Sequence, residues 1–466
     1  YSQLSRWGEG AYLAVNHEGY IQDNWKVRPN ITLDYGLRFV HQVPQYDSYG
    51  KSSNFLPDQW AAAQAPVLYV AGCANGVYPC SGTNRQAMNP ITGAFLGANS
   101  ALAIGTIVPG TGSSTNGVFA NGNGIVSTNI KYPALKIAPR LGIAMDVKGD
   151  QSLVVRGSIG VFYDRPQAQN VYNTVNNPPF SRQVTVRYGQ LQNLSSAGLT
   201  TEAPPALTVW QYDEPLPTSV QWNVGTQMVL PFKVALDLAY VGQHSDYFTQ
   251  GVNINSIDYG TAFLASNQDR TQTSTTPGAA SLAALNPDLA RFYKGYGTIT
   301  QQQANQSRTY HSIQIGLNRR LAGGLALSFN DTIGLYDKQT IAPRLQHNAD
   351  GTITTRADQD QAQALLGDNA PQRHVMRASM VWQSPTLSTG GTMQNIVSGL
   401  LSDWTVAVLW SGASGTAYSV GYSYTSNGAN VNITGSPDFG GRVIITGDPG
   451  SGCSDDPLKQ FNTAAF

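Results

Sequence analysis

Charge is scarce in this chain of 466 residues. Asp, Glu, Lys and Arg together make up 12% of it, about half of the roughly 25% usual for a soluble globular protein. The 28 cationic and 28 anionic side chains cancel, and there is no basic run. The electrostatic footprint of nucleic-acid binding is therefore missing. Long apolar runs are missing as well: nothing approaches the roughly eighteen consecutive apolar residues of a membrane-spanning helix. The six His residues (17, 41, 244, 311, 347 and 374) have no metal-ligand spacing. Neither a phosphate-cradling loop nor a dinucleotide fingerprint occurs, and SGASGTA around Ser414 only approximates a nucleophile elbow. The pair of carboxylates in Arg356 to Asp360, RADQD, lacks the Gly and terminal Glu of a calcium loop and reads as a solvated loop. No catalytic residue, metal site or cofactor is expected, and the chain does not read as an enzyme.

Cysteine is limited to three residues. Cys73 and Cys80 lie seven positions apart in the Gly- and Asn-rich stretch GCANGVYPCSG. A loop disulfide made in an oxidising compartment is the preferred reading, with two free thiols as the alternative. Cys453 has no obvious partner and is left for a residue beyond the chain. The opening YSQLSRWGEG has neither the basic start nor the apolar core of a signal peptide, and no alternating strand stands behind the final FNTAAF. Both ends are read as cuts in a longer protein.

What fills the chain instead is Gly (48 residues), uncharged polar residues and aromatics (8 Trp, 23 Tyr and 14 Phe). Their arrangement carries the information. In YIQDNWKVRPNITLDYGLRFV, Ile31, Leu33, Tyr35, Leu37 and Phe39 alternate with Thr32, Asp34, Gly36 and Arg38. A period of two, with an apolar row opposite a charged one, describes a sheet between two different media. The pattern recurs in five hairpins. Leu141, Ile143 and Met145 turn at 147–150 into Leu153, Val155, Ile159, Val161 and Tyr163. Val220, Trp222, Val224, Met228 and Leu230 turn at Pro231-Phe232 into Val234, Leu236, Leu238 and Tyr240. Ile313, Ile315 and Leu317 return through Leu325, Leu327 and Phe329, and Met376 to Trp382 pairs with Trp404 to Trp410. Asp23 and Asp331 fall on the apolar rows and call for a bulge or a place above the hydrocarbon.

The pairs are joined by tight turns, while successive pairs are separated by long connections over 41–137, 164–217, 243–309 and 337–372. Short turns at one end and long loops at the other are the signature of an antiparallel transmembrane β-barrel with extracellular loops. Trp25, Trp382 and Trp404 near the short turns, and Tyr163, Tyr240 and Tyr336 near the long loops, fit two interfacial belts. Asp34, Arg140, Asp146, Arg156 and Asp237 form the lumen-facing charged set, read as an ion-pair ladder bracing the wall rather than as substrate contacts. The neutral amide and aromatic loops, such as GYGTITQQQANQSRTY, suit a glycan or peptide. Two other classes also fit: a passive porin or adhesin barrel, and a soluble secreted β-rich carbohydrate-binding protein.

Five passages in order resemble TonB-dependent outer-membrane receptors, most closely the Oar-like group, in which a carboxypeptidase-regulatory-like domain precedes plug and barrel. They are YIQDNWKVRPNITLDYGLRF; APRLGIAMDV with VVRGSIGVFYDR; SVQWNVGTQMVLPFKVALDLAYVGQHS; YHSIQIGLNRRLAGGLALSFNDT; and RHVMRASMVWQSP. The closing QFNTAAF is similar to a late loop of that family. The resemblance implies a 22-stranded barrel, of which about ten strands are present here, closed by an N-terminal plug and opened by TonB. The plug, the TonB-contacting box and the final strands would lie outside residues 1–466. Its partners would be outer-membrane lipid, TonB and an unknown extracellular substrate.

Overall fold

In a computed structural model, the alternating segments form ten strands of one sheet: β1 (Asn16–Arg28), β2 (Ile31–Gln42), β3 (Lys136–Asp146), β4 (Leu153–Tyr163), β5 (Thr218–Leu230), β6 (Val234–Asn253), β7 (Ile299–Ala322), β8 (Leu325–Ile341), β9 (His374–Gln383) and β10 (Thr405–Ala413). The structure describes residues 1–466 except 7, 167, 191, 194–197, 274–281, 342–343, 348–352, 357–371, 386–390, 392–395, 397–401, 416–421, 427–428, 431, 442, 453–455 and 457–459. RADQD at 356–360 and Cys453 fall on or among the excepted residues and lie outside this description. Each strand pairs antiparallel with the next in sequence, and β1 and β10 form the two edges. The architecture is a curved wall of a partial transmembrane barrel.

Register decides which side chains share a face, because directly opposite residues project to the same side. One row runs Leu33, Ile143, Gly157, Val224, Tyr240, Ile313 and Ile333 from β2 to β8. The neighbouring row, one residue on, runs Asp34, Gly142, Ser158, Asn223, Val241 and Ser312. A one-residue slip anywhere would exchange the two rows, so the apolar pattern fixes the whole register.

The short turns have identifiable causes. Asp146 ends β3 and its carboxylate accepts the backbone N–H groups of Gly149 and Gln151, both at 2.9 Å, an Asx-type turn. The β7–β8 turn is tighter than the sequence suggests: only Gly323 (φ 57°) and Gly324 (φ 75°) separate the strands. Two consecutive positive φ values are what a two-residue type I′ hairpin requires. A Cβ on Gly324 would also lie 2.4 Å from the Gln383 carbonyl of β9.

The two misplaced acids have partners rather than bulges. The Tyr35 hydroxyl donates to Asp23 at 3.0 Å, and Asp331 meets the His374 ring at 2.9 Å on the adjacent strand. Asp331 sits in regular pairing, opposite Ile315 and Met376. The bulge of this hairpin falls a few residues away, where His311 pairs with Tyr336 but Ser312 with Gly334.

The third long connection is shorter than 243–309. β6 continues to Asn253 and β7 begins at Ile299. β7 has 24 residues, more than twice the roughly ten that cross a bilayer. The extra length escaped notice because QQQANQSRTY is polar on both faces, which erases the alternation wherever both faces meet water. The connection expected at 337–372 likewise starts later, since β8 runs to Ile341.

The connections are not structureless. Most of the buried apolar residues lie in them, and few, such as Val40 and Ala138, in the wall. Phe55 and Val118 from 43–135, Leu207 and Val209 from 164–217, Tyr293 and Tyr296 from the third connection and Ile299 at the start of β7 make one cluster. Tyr69, Ala87, Ala103, Ile104 and Val108 make a second. Leu207–Trp210 adds a parallel strand beside Ile299–Gln302 of β7. Together they build a folded cap on the long-connection end.

Candidate functional site

The cap is held together by buried polar side chains that reach from one connection to another. Asn54 donates to the carbonyls of Asn129 (2.9 Å) and Trp210 (3.0 Å) and accepts the Trp210 N–H at 2.8 Å. Asn177 clamps Thr208 in the same two-way fashion, at 2.7 and 3.1 Å, and also donates to Ser53. Asn255 donates to Gly297 at 2.7 Å and accepts from Tyr293 at 2.8 Å. The Tyr296 hydroxyl donates to Asn116 at 2.8 Å. Arg85 meets Asp269 at 2.8 Å, and Arg291 meets both Asp288 (2.8 Å) and Asp438 (3.0 Å). Each amide supplies donor and acceptor together, so neither partner backbone is left unsatisfied in the interior. The Sγ atoms of Cys73 and Cys80 are bonded, with Cα atoms 5.9 Å apart. Cys80 N–H donates to the Thr271 carbonyl at 3.0 Å, which ties this clip to the third connection.

Glu214 is the cap's outstanding electrostatic feature. It lies between Trp210 and β5, almost fully buried, and accepts the Ala304 N–H at 2.7 Å. Its other oxygen has no hydrogen-bond partner among the described residues. Desolvation pushes its carboxyl up to about 8, against the lowering effect of that one backbone bond. Burial thus favours its neutral form.

β1 to β6 bound a cavity of about 540 Å³ whose polar lining is Gln22, Asp34, Arg140, Ser158, Gln221 and Asn223, beside Leu141, Ile159 and Trp222. Gly36, Gly142 and Gly160 also line it. The Arg140 guanidinium lies over the Phe162 ring, 5.3 Å from the centroid. Asn223 donates to Ser158 at 2.6 Å, and Asn24 donates to Asp34.

The structure does not assemble the five expected charges into a ladder. Asp34 is held by Asn24, Arg140 stacks on Phe162, and Asp146 caps its turn. Arg156 donates to Gln227 at 3.2 Å, and Asp237 stands opposite Gln227 and Gly316. Among the described residues no ion pair includes any of the five. Their spacing along the strands explains this: the opposite neighbours of Arg140 are both glycines, those of Asp34 are Gly142 and Asn24, and those of Arg156 are Ala144 and Gly225. The wall's ion pairs are instead Arg38 with Glu18 and Arg308 with Asp337.

On the opposite, apolar face an aromatic group marks where hydrocarbon ends. Tyr240 stacks on His311 (5.9 Å between centroids, 11° between planes) and shares a 2.7 Å hydrogen bond with it. Tyr336 and Trp222 lie 5.6 and 5.9 Å from the same ring. Beyond it the outer row turns polar, with His244 meeting Asp246 at 3.2 Å and Thr309 at 2.8 Å. His311 itself left no sequence signal.

An apolar outer face, an aromatic girdle, a polar inner face and a folded cap define a wall segment of an outer-membrane barrel. The family described as outer membrane beta barrel domain matches residues 1–466, and the chain belongs to it. Its place is the bacterial outer membrane. No curated protein matches the sequence. Among solved structures, the hemophore receptor HasR of Serratia marcescens is similar at 12% identity and a TM-score of 0.38, covering 82% of this chain and 44% of that one. The siderophore receptor PirA of Pseudomonas aeruginosa is similar at 11% identity and 0.33, covering 80% and 38%. The alcaligin receptor FauA of Bordetella pertussis is similar at 9% identity and 0.32, covering 86% and 38%. The chain thus spans less than half the length of each.

Proposed function

We propose that this chain is the barrel portion of a TonB-dependent outer-membrane receptor of the Oar-like group, taking up a neutral glycan or peptide. The observation that carries the reading is the cap: three connections are folded into one body over the end of a polar-lined wall. Such a body presents a shaped surface for capture, which free loops around an open pore do not need. Its buried clamps are amides, and its surface is rich in Asn, Gln, Ser and Tyr, chemistry that complements hydroxyl and peptide groups. In this reading the long connections are extracellular, and the Cys73–Cys80 clip forms in the oxidising periplasm. The plug and the TonB contact reside in segments outside residues 1–466. Asp34, Arg140, Asp146, Arg156 and Asp237 brace wall and turns individually rather than bind substrate.

The test is energised uptake. Cells carrying the full-length protein are given a labelled glycan or peptide selected by binding to the capped barrel. Uptake that stops when TonB is deleted or the proton gradient is collapsed supports the proposal. Uptake indifferent to both assigns a passive porin, and binding without uptake assigns an adhesin.

A further inference from the structure

We propose that the outer face of β6 to β10 holds one anionic glycerophospholipid at a built site. The register of the last three strands sets Phe329, Ala378 and Trp410 side by side. A methyl group between two large rings leaves a slot. Trp410 leans away from it, since a Cβ on Gly412 would lie 2.7 Å from the indole. Leu317, Leu327, Met380 and Val408 line the walls of a groove of about 300 Å³. That is roughly twice the ~150 Å³ that admits a benzene ring, room for a stretch of acyl chain.

The slot ends at Arg319. Its guanidinium donates to the carbonyls of Phe232 (3.2 Å), Leu325 (2.8 Å) and Ala322 (2.9 Å), which fixes it at the level of the short turns. Three of its five N–H groups are thus used, and the others are free to meet a phosphate. At this level, residues 231–233 between β5 and β6 and the end of β7 at 319–322 carry Lys233, Arg319 and Arg320 and contain no Asp or Glu. Phe232 projects from the first turn, 86% exposed. An apolar slot that ends on a cationic side chain, with further cations and an interfacial aromatic at the turn level, complements one acyl chain and one phosphate. Short turns of outer-membrane barrels face the periplasm, the side of the bilayer made of glycerophospholipid. The site rests on membrane placement alone and is independent of any transported substrate.

The experiment is native mass spectrometry of the full-length protein after exchange into detergent with equal phosphatidylglycerol and phosphatidylcholine. One phosphatidylglycerol is expected to survive delipidation in preference to phosphatidylcholine. Ala378→Leu, filling the slot, should remove retention of that lipid. The double variant Lys233→Gln/Arg320→Gln, which leaves the Arg319 turn bonds intact, should weaken it about tenfold. Heat-dependent mobility in electrophoresis verifies that each variant is folded. If Ala378→Leu fails that check, the double variant carries the decision alone. Equal retention of both lipids, or retention untouched by a folded variant, would overturn the site.

Discussion

Raising the pH from about 6 to about 9 should loosen the cap through one side chain, Glu214. Its carboxyl titrates at about 8 in the folded protein against an ordinary 4.5. Between those values the folded state holds the proton and the unfolded state has released it, so stability falls as pH rises. The contribution is fully present below about 4.5, declines through the interval, and is exhausted above about 8. At about 1.36 kcal/mol for each tenfold in proton affinity, the full span is roughly 5 kcal/mol, and the part between pH 6 and 9 is roughly 3 kcal/mol. Amide-exchange protection of Thr208–Trp210 and Ala304, corrected for the intrinsic rate, should therefore drop about a hundredfold over this range. Glu214→Gln keeps an acceptor for the Ala304 N–H and cannot ionise, so its protection should stay level. A wild type without the drop, or a variant that drops equally, would refute the burial argument.

Asn54→Ala removes one hydrogen bond within the first connection and two that join it to the second. It should cost about 2–4 kcal/mol, read as a lowered temperature for proteolysis of the cap. Leu153→Arg or Val155→Arg, on the apolar row, should reduce membrane insertion by about 2–4 kcal/mol at the midplane. Ser158 and Gln221 variants, on the polar row, should be far milder by the same folding assay. Cys73→Ser should abolish a reducible crosslink and cost roughly 2 kcal/mol of cap stability by the chain-entropy argument, checked by thiol titration and the same proteolysis.

The wall was legible because a sheet between lipid and water writes its register into every second residue. Leu33 and Asp34, or Ile143 and Gly142, needed no partner strand to declare their faces. The fifth hairpin, with 21 residues between Gln383 and Thr405, was legible for the same reason. The cap was not. Phe55, Val209 and Tyr296 come from three connections far apart in the chain, with no period to join them, and only tertiary packing reveals the core they share. Asn54, Asn177 and Asn255 look like ordinary loop asparagines until the chain closes over them. Glu214 is similarly silent, since a carboxylate in a Pro-rich connection reads as solvated. The ion-pair ladder failed for a different reason: a strand pattern gives the face of Arg140 but not its neighbours, and these proved to be glycines. The upper halves of β6 and β7 were hidden because both of their faces meet water or cap.

The central claim is that one face of this sheet meets hydrocarbon and the other water, with the boundary at the Tyr240–His311–Tyr336 girdle. Spin labels placed singly along β6 test it directly, with Cys453 replaced by serine and the disulfide left intact. In outer-membrane vesicles, labels at Val234, Leu236, Leu238 and Tyr240 should be relaxed by oxygen and shielded from a water-soluble nickel reagent. Labels at Ala235, Asp237 and Ala239 should show the reverse, and oxygen access should vanish by His244. Equal access at odd and even positions, or oxygen access continuing past His244, would contradict the account.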